Sequence, residues 1–166
     1  MHNNTDNYIY PSDKEGMYKL LASQMKSILE GEQNIVANLS NASALLKDAL
    51  GGINWVGFYL VEKDELVLGP FQGKVACVRI GIGKGVCGTA VKENTTQMVE
   101  DVHNFPGHIA CDSASNSELV IPLRSGGKVV GVLDIDSPTI GRFDKSDAAE
   151  LEKIARIIAE SCKWDV

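Results

Sequence analysis

The sequence predicts an α+β fold: one mostly antiparallel central sheet, with the N- and C-terminal helices packed on one face and a ligand pocket on the other. Three observations predict it. Two stretches with apolar residues at helical spacing open the chain, β-rich stretches joined by short turns follow, and one more helical stretch closes it. At 166 residues the chain has the length of one domain. We expect residues 1–14 to be a flexible lead-in and residues 15–166 to form that domain.

The helices are predicted by apolar residues three and four positions apart. The first covers about 17–29 and the second about 35–50, and glycines follow both. The last helix is expected to begin after Asp144 as N-cap, with Asp147 in its first turn. Cys162 falls on the apolar stripe of that helix, so we interpret it as a core thiol.

The strands are predicted by alternating aromatic and β-branched residues. In the first strand, about 53–61, Trp55 and Tyr59 share one face while Phe58 points to the other. Further strands are expected at 66–71, 75–82, 96–99, 118–123 and 128–135, with a short helix at 86–93.

A glycine-rich stretch at 83–88 matches the dinucleotide pattern GxGxxG, but the helix after it is too short for a dinucleotide-binding unit. We interpret the glycines as the residues that permit a tight turn. Cys87 follows in the first turn of the short helix, where the partial positive charge of the helix N-terminus would lower a thiol pKa. A buried apolar role for Cys87 is the alternative.

Net charge excludes some functions. The formal charge is −6 and the pI is about 5.0, whereas nucleic-acid binding depends on Lys and Arg contacts with phosphates. No apolar stretch approaches the ~20 residues of a membrane span. The polar N-terminus lacks the features of a secretory signal, so we expect a cytoplasmic protein with no nucleic-acid or membrane partner.

Four cysteines without a CxxC pair, in a reducing compartment, are neither structural disulfides nor a zinc knuckle. Cys111 lies among small polar residues in a long loop, which favours a reactive thiol over a buried one. Cys77 is expected in the middle of a strand. His103, His108 and Cys111 have the spacing of possible metal ligands, and an Asp could be a fourth, but no fourth ligand is evident and His is common in polar loops. We therefore expect no metal and no cofactor.

Three carboxylates are predicted to meet near one face of the sheet. Asp134 and Asp136 are two residues apart on one strand, which puts them about 7 Å apart on the same side. Glu118 opens the neighbouring strand of the same hairpin. Such a group suits a ligand ammonium, or a carboxylic acid kept protonated by crowding of like charges. The alternative interpretation is a solvated strand end.

Several motifs together resemble the free methionine-R-sulfoxide reductases, a branch of the GAF domain superfamily. They lie at 54–60, 68–73, 85–88, 101–103, 106–112, 115–118 and 133–138, and the similarity covers nearly the whole chain beyond the first dozen residues. A GAF fold alone would be a weak functional signal.

The resemblance implies a thiol mechanism. Cys111 would be the nucleophile that attacks the sulfur of free L-methionine (R)-S-oxide and is left as a sulfenic acid. Cys77 or Cys87 would then condense with it to a disulfide that thioredoxin reduces. The sequence does not choose between these two, although we favour Cys77.

For the other groups, Glu118 or Asp136 would hydrogen bond to or protonate the sulfoxide oxygen. Asp134 would bind the ammonium group of the substrate, and Trp55 would form the pocket wall beside its S-methyl group. The family also makes a homodimer through the flanking helices a reasonable expectation. The alternatives are a non-catalytic GAF sensor of a small effector and a thiol redox sensor without turnover.

Overall fold

The computed structural model describes residues 9–109 and 112–165. The helices of this part are α1 (Lys14–Leu29), α2 (Ile35–Ala49), α3 (Gly85–Glu93) and α4 (Lys145–Ser161), with a 3-10 turn at Val102–Asn104. The strands are β1 (Trp55–Glu62), β2 (Glu65–Gln72), β3 (Arg79–Gly81), β4 (Gln97–Val99), β5 (Ser117–Ser125) and β6 (Lys128–Ser137). Within the described residues, no helix combines the length and apolar character that crossing a bilayer requires.

The strands form one antiparallel sheet in the order β3-β2-β1-β6-β5-β4. Helices α1, α2 and α4 cover one face and bury the larger apolar core. The short helix α3 and the segment after β4 cover the other face over a smaller core. The predicted α+β fold is confirmed. The flexibility of residues 1–14 stays a prediction.

Strand β1 shows why this sequence makes a two-faced sheet. Phe58 is buried in the core on the helix side, while Trp55 and Tyr59 are buried in the core on the α3 side, as the alternation predicts. Both faces of β1 are therefore covered, and the sheet separates two distinct layers.

Two local predictions are wrong. The strand expected at 75–82 is only β3, so Cys77 does not lie within a strand. Two side chains of β1 donate hydrogen bonds to backbone carbonyls of the segment before β3. Trp55 Nε1 donates to the carbonyl of Lys74 at 3.1 Å, and the Tyr59 hydroxyl donates to the carbonyl of Cys77 at 2.9 Å. These carbonyls have hydrogen-bond partners without pairing to a neighbouring strand, so the segment around Cys77 is irregular.

The second error concerns Val130, because alternation along the strand expected at 128–135 predicts that it points to the same face as Val132. Val130 belongs to the helix-side core, whereas Val132 belongs to the opposite one. The register of β5 and β6 shifts between Leu123 and Arg124, and such a bulge turns a side chain to the other face.

The start of α4 ties the helical layer together. Asp144 and Asp147 form a capping box, each accepting the backbone N–H of the other at 2.9–3.0 Å. The fully buried Asp147 also accepts a hydrogen bond from the Tyr18 hydroxyl at 2.7 Å and pairs with Lys14 at 3.0 Å. Helices α1 and α4 are thus joined by a buried, satisfied polar group.

The glycine-rich turn fixes α3 on the sheet. The Gly83 amide donates to the carbonyl of Gly88 at 2.8 Å, and the Gly88 amide donates to that of Lys84 at 3.0 Å. A Cβ at Gly88 would collide with the backbone carbonyl of Gly81. The interpretation of these glycines as turn residues is confirmed, and close backbone approach is their physical reason.

We expect Gly88→Ala to destabilise the protein by about 1–3 kcal/mol, because an added methyl group would have to displace backbone atoms. Gly51→Ala is the matched control, since no atom lies within 4 Å of a Cβ built there. Urea denaturation of both variants measures the difference. Equal stabilities would show that the turn does not depend on the close approach.

Candidate active site

A cavity opens on the face of the sheet opposite the long helices. Its volume is about 40 Å³, and it is partly open to solvent. Helix α3, the segment before β5 and the adjoining ends of β5 and β6 form its walls. The residues that line it are Ile80, Gly85, Val86, Cys87, His108, Ile109, Asp112, Ser115, Glu118, Asp134 and Asp136.

The three predicted carboxyl groups lie together in this cavity. Glu118 of β5 is directly opposite Asp136 of β6, and Asp134 is two residues away on the same face. Glu118 and Asp134 are each only 6% exposed. No lysine or arginine is among the described lining residues, so the acidic groups lack a full cationic partner there.

The pKa values of the three carboxyl groups are raised to different extents. Burial, followed by the charge of Asp134, raises the pKa of Glu118 and of Asp136 well above the ordinary range. Burial also raises the pKa of Asp134, but hydrogen bonding from Cys87 and Glu118 holds it at about 6. Protonation is therefore favoured on Glu118 and Asp136, and Asp134, with a pKa of about 6, carries the negative charge at neutral pH.

One atom of this group has no hydrogen bond. Asp134 Oδ1 is buried and has no partner among the described residues. A buried acceptor left unpaired costs free energy, and few such groups persist in native structures. Its position on the cavity wall means that a donor from a bound molecule could satisfy it.

Cys87 lies in the first turn of α3, as predicted, with its Sγ 4.0 Å from Glu118 Oε1. The expectation of a lowered thiol pKa is wrong. Burial, followed by the negative charge of Asp134 and Glu118, raises the pKa of Cys87. These effects outweigh the partial charge of the helix N-terminus.

The remaining cysteines differ in state. Cys77 is half-buried and disulfide-bonded, whereas Cys87 and Cys162 are free, buried thiols. Cys162 belongs to the helix-side core, as expected for a structural thiol. The predicted nucleophile, Cys111, lies outside the described residues.

Trp55 lies on the same side of the sheet as the cavity, but it is not one of the described lining residues. Its ring stacks on Phe71, with centroids 5.2 Å apart, and on Tyr59 at 6.0 Å. It therefore stands in an aromatic cluster under the segment that contains Cys77.

Sequence reasoning missed several residues of the site. His108 Nε2 is 3.8 Å from Glu118 Oε2, and burial, helped by the charge of His103, lowers the pKa of His108. The sequence suggests His108 only as a possible metal ligand beside His103, but His103 is exposed and paired with Asp101. The position of His108 within a long polar loop was the one available signal.

A second missed contact holds the loop against β1. Asn54 Nδ2 donates to Asp112 Oδ2 at 3.1 Å and to Ser115 Oγ at 3.0 Å. A hydrogen bond from the Ala114 amide, followed by that from Asn54, lowers the pKa of Asp112. Asp112 is therefore the ionised acid at the cavity rim, in contrast to Glu118.

We expect Asp134→Asn to stabilise the protein at pH 7.5 but not at pH 4. Holding the pKa of Asp134 at about 6 instead of 3.8 costs up to about 3 kcal/mol above pH 6, and this cost disappears below pH 4. Chemical denaturation at the two pH values measures it. Asp112→Asn is the control, because the pKa of Asp112 is lowered and its removal brings no such gain.

Comparison with known proteins identifies the family. Residues 35–161 match the GAF domain model. The chain is 54% identical over 149 residues to the free methionine-R-sulfoxide reductase of Escherichia coli (strain K12), covering 86% of this chain and 90% of the relative. The reductase of Saccharomyces cerevisiae is 47% identical over 164 residues, covering 94% and 91%. The structure of the Neisseria meningitidis enzyme in complex with its substrate has a TM-score of 0.89 at 47% identity, covering 93% of each chain. The chain therefore belongs to the GAF domain family, in the branch of the free methionine-R-sulfoxide reductases.

Proposed function

We propose that the protein reduces free L-methionine (R)-S-oxide to L-methionine with a cysteine nucleophile and an acidic pocket. The observation that supports this best is the cavity in which the buried Glu118 and Asp134 and the half-buried Asp136 lie together without a lysine or arginine among the described lining residues. The ammonium group of an amino acid needs a negatively charged partner, and the sulfoxide oxygen needs a proton. A cluster of carboxyl groups can supply both.

In the proposed reaction the Cys111 thiolate attacks the sulfoxide sulfur. The residues described on either side, Ile109 and Asp112, both line the cavity, which supports this role. The sulfoxide oxygen ends on Cys111 as a sulfenic acid, one proton is consumed, and the thioether of methionine leaves. The cysteine is oxidised by two electrons and the sulfoxide is reduced by two.

Glu118 supplies the proton, or Asp136 does. The sulfoxide oxygen is a poor leaving group, so an acid must be positioned to protonate it. The raised pKa of Glu118 keeps it protonated near neutral pH, which is the state required of a donor.

Asp134 binds the ammonium group. Its pKa of about 6 makes it the ionised carboxylate of the three at neutral pH, and its buried Oδ1 is free to accept a hydrogen bond. Trp55 is proposed to wall the S-methyl group from its aromatic cluster. Methionine sulfoxide within a peptide lacks the ammonium, so this site favours the free amino acid.

Cys77 is the proposed resolving cysteine. Its thiol condenses with the sulfenic acid on Cys111, which forms a disulfide and releases water. The disulfide-bonded state of Cys77 and the free thiols of Cys87 and Cys162 support this pairing. Cys87 is hydrogen bonded within the acidic group instead.

Thioredoxin in the cytoplasm is the proposed reductant. Its thiolate attacks the disulfide and its second thiol completes the exchange, so that the disulfide is transferred to thioredoxin. Next to Cys77, Val75 and Val78 are 88% and 64% exposed, which provides apolar surface for such a partner. Association as a homodimer through the flanking helices also stays a proposal.

Cys111→Ser should abolish turnover of methionine sulfoxide supported by dithiothreitol, because serine cannot form the sulfenic acid. Cys162→Ser, which alters a core thiol on the other face, should keep turnover. Methionine formation measured by chromatography is the readout. Substrate binding without turnover in the native protein would favour a GAF sensor instead.

Glu118→Gln should lower kcat/KM about 10²–10⁴-fold, because an amide cannot act as a general acid. Glu62→Gln is the control, an exposed acid at the end of β1. The substrate dissociation constant, measured separately, should change far less than kcat. An unchanged kcat/KM would exclude Glu118 as the donor.

Val75→Asp and Val78→Asp should raise the KM for thioredoxin about tenfold, with little effect on the rate supported by dithiothreitol. Small thiols need no docking surface, whereas a protein does. Val36→Asp is the matched control, because Val36 is also 64% exposed but lies on α2. Equal effects of Val36→Asp and Val78→Asp would contradict the proposed docking near Cys77.

A further inference from the structure

The acidic cavity also contains an arrangement of atoms that suits a metal ion. One ligand atom from each of Cys87, Glu118 and Asp134 lies within 4.8 Å of the other two. All three side chains are more than nine-tenths buried, and Cys87 Sγ lies 4.0 Å from Glu118 Oε1. The first lies on α3 and the other two on neighbouring strands, so the fold itself brings them together.

A second, independent observation points to a cationic ligand at this place. Asp134 Oδ1 is a buried acceptor without a hydrogen-bond partner among the described residues, and its side chain belongs to the cavity lining. No lysine or arginine among the described lining residues offsets the three acidic groups. A divalent cation would satisfy the unpaired oxygen and compensate the buried charge together.

We infer that the reduced protein binds one Zn²⁺ ion through Cys87, Glu118 and Asp134, and that the bound ion excludes the amino-acid substrate. One sulfur and two carboxylate oxygens match the ligand preference of zinc. Mg²⁺ and Ca²⁺ prefer sites built of oxygen alone, so the thiol selects against them.

The geometry needs little adjustment. With bonds of about 2.0–2.3 Å, ligands of a tetrahedral zinc ion lie roughly 3.3–3.8 Å apart. Ligand atoms now within 4.8 Å of one another need to approach by at most about 1.5 Å, which rotations of the three side chains can supply. The fourth position faces the cavity and accepts a water molecule. On binding, the Cys87 thiol and the Glu118 carboxyl each release a proton.

The consequence for regulation rests on the proposed function. Asp134 is the proposed partner of the substrate ammonium, so it cannot bind zinc and substrate together. Zinc then acts as a reversible competitive inhibitor that also removes the proton of Glu118. The metal site itself does not depend on which substrate the cavity accepts.

Zinc binding is tested on the reduced, metal-free full-length protein by competition with a chromophoric chelator. We expect one Zn²⁺ per chain, no competition by Mg²⁺, and, with Co²⁺, a sulfur-to-cobalt charge-transfer band. Loss of a residue that only hydrogen bonds to a metal ligand weakens metal affinity about 10–100-fold. Cys87→Ser and Asp134→Asn each remove a ligand itself, so each should weaken zinc affinity at least that much.

The controls separate this site from the other thiols. Cys162→Ser and Asp112→Asn should keep the native zinc affinity, because neither side chain belongs to the group. Cys77→Ser should also keep it. Loss of binding in Cys77→Ser but not in Cys87→Ser, or weak binding equal in all variants, would overturn the proposal.

Inhibition is measured in a single turnover without added thiol, since thiols would bind the metal. Zinc should raise the methionine sulfoxide concentration needed for half-maximal methionine formation, and a chelator should reverse it. Zinc bound without any effect on this turnover would overturn the regulatory part. Absence of turnover in the metal-free protein would instead reject the proposed function. The competition with the chromophoric chelator would still show whether the protein binds zinc at Cys87, Glu118 and Asp134.

Discussion

The site depends on the register between strands β5 and β6. This register places Glu118 opposite Asp136 and Val120 opposite Asp134. The intervening residues point to the other face, where Leu119 and Ile135 are buried beneath the long helices. Because side chains alternate along a strand, a slip of one residue would exchange the two sets and bury the carboxyl groups in the apolar core. The alternation that builds the core therefore also assembles the acidic cavity.

Two buried aspartates show how this fold uses a carboxyl group in different ways. Asp147 is fully buried, but its carboxylate is satisfied by the Tyr18 hydroxyl, by Lys14 and by the backbone amide of Asp144, and it holds two helices together. Asp134 is buried almost as deeply, yet one of its oxygens has no partner. A network with every member satisfied stabilises a protein, whereas an unsatisfied one costs stability and persists where a function needs it. This contrast separates the structural acid from the one that we assign to the ligand.

The sequence was informative wherever a periodic pattern decided the structure. The spacing in α1, α2 and α4 and the alternation in β1 predicted the layers, and the Asp134–Asp136 spacing predicted a shared face. Patterns failed where a particular tertiary contact decided instead. Hydrogen bonds from Trp55 and Tyr59 displace the segment around Cys77 from the ladder, and burial, followed by the charge of two nearby carboxyl groups, reverses the expected pKa shift of Cys87. No local pattern contains such contacts, and the approach of His108 to Glu118 is of the same kind.

The order of pKa values couples recognition to proton transfer in the proposed reaction. Asp134 keeps the negative charge because Cys87 and Glu118 hydrogen bond to it, and burial, followed by that charge, raises the pKa of Glu118. An ammonium group placed on Asp134 compensates the charge, so this second cause of the raised pKa of Glu118 is removed when substrate binds, while burial remains. Glu118 thereby becomes a stronger acid only with a free amino acid in the cavity. A ligand without an ammonium group leaves that proton tightly held, so the buried group discriminates in the chemical step as well as in binding.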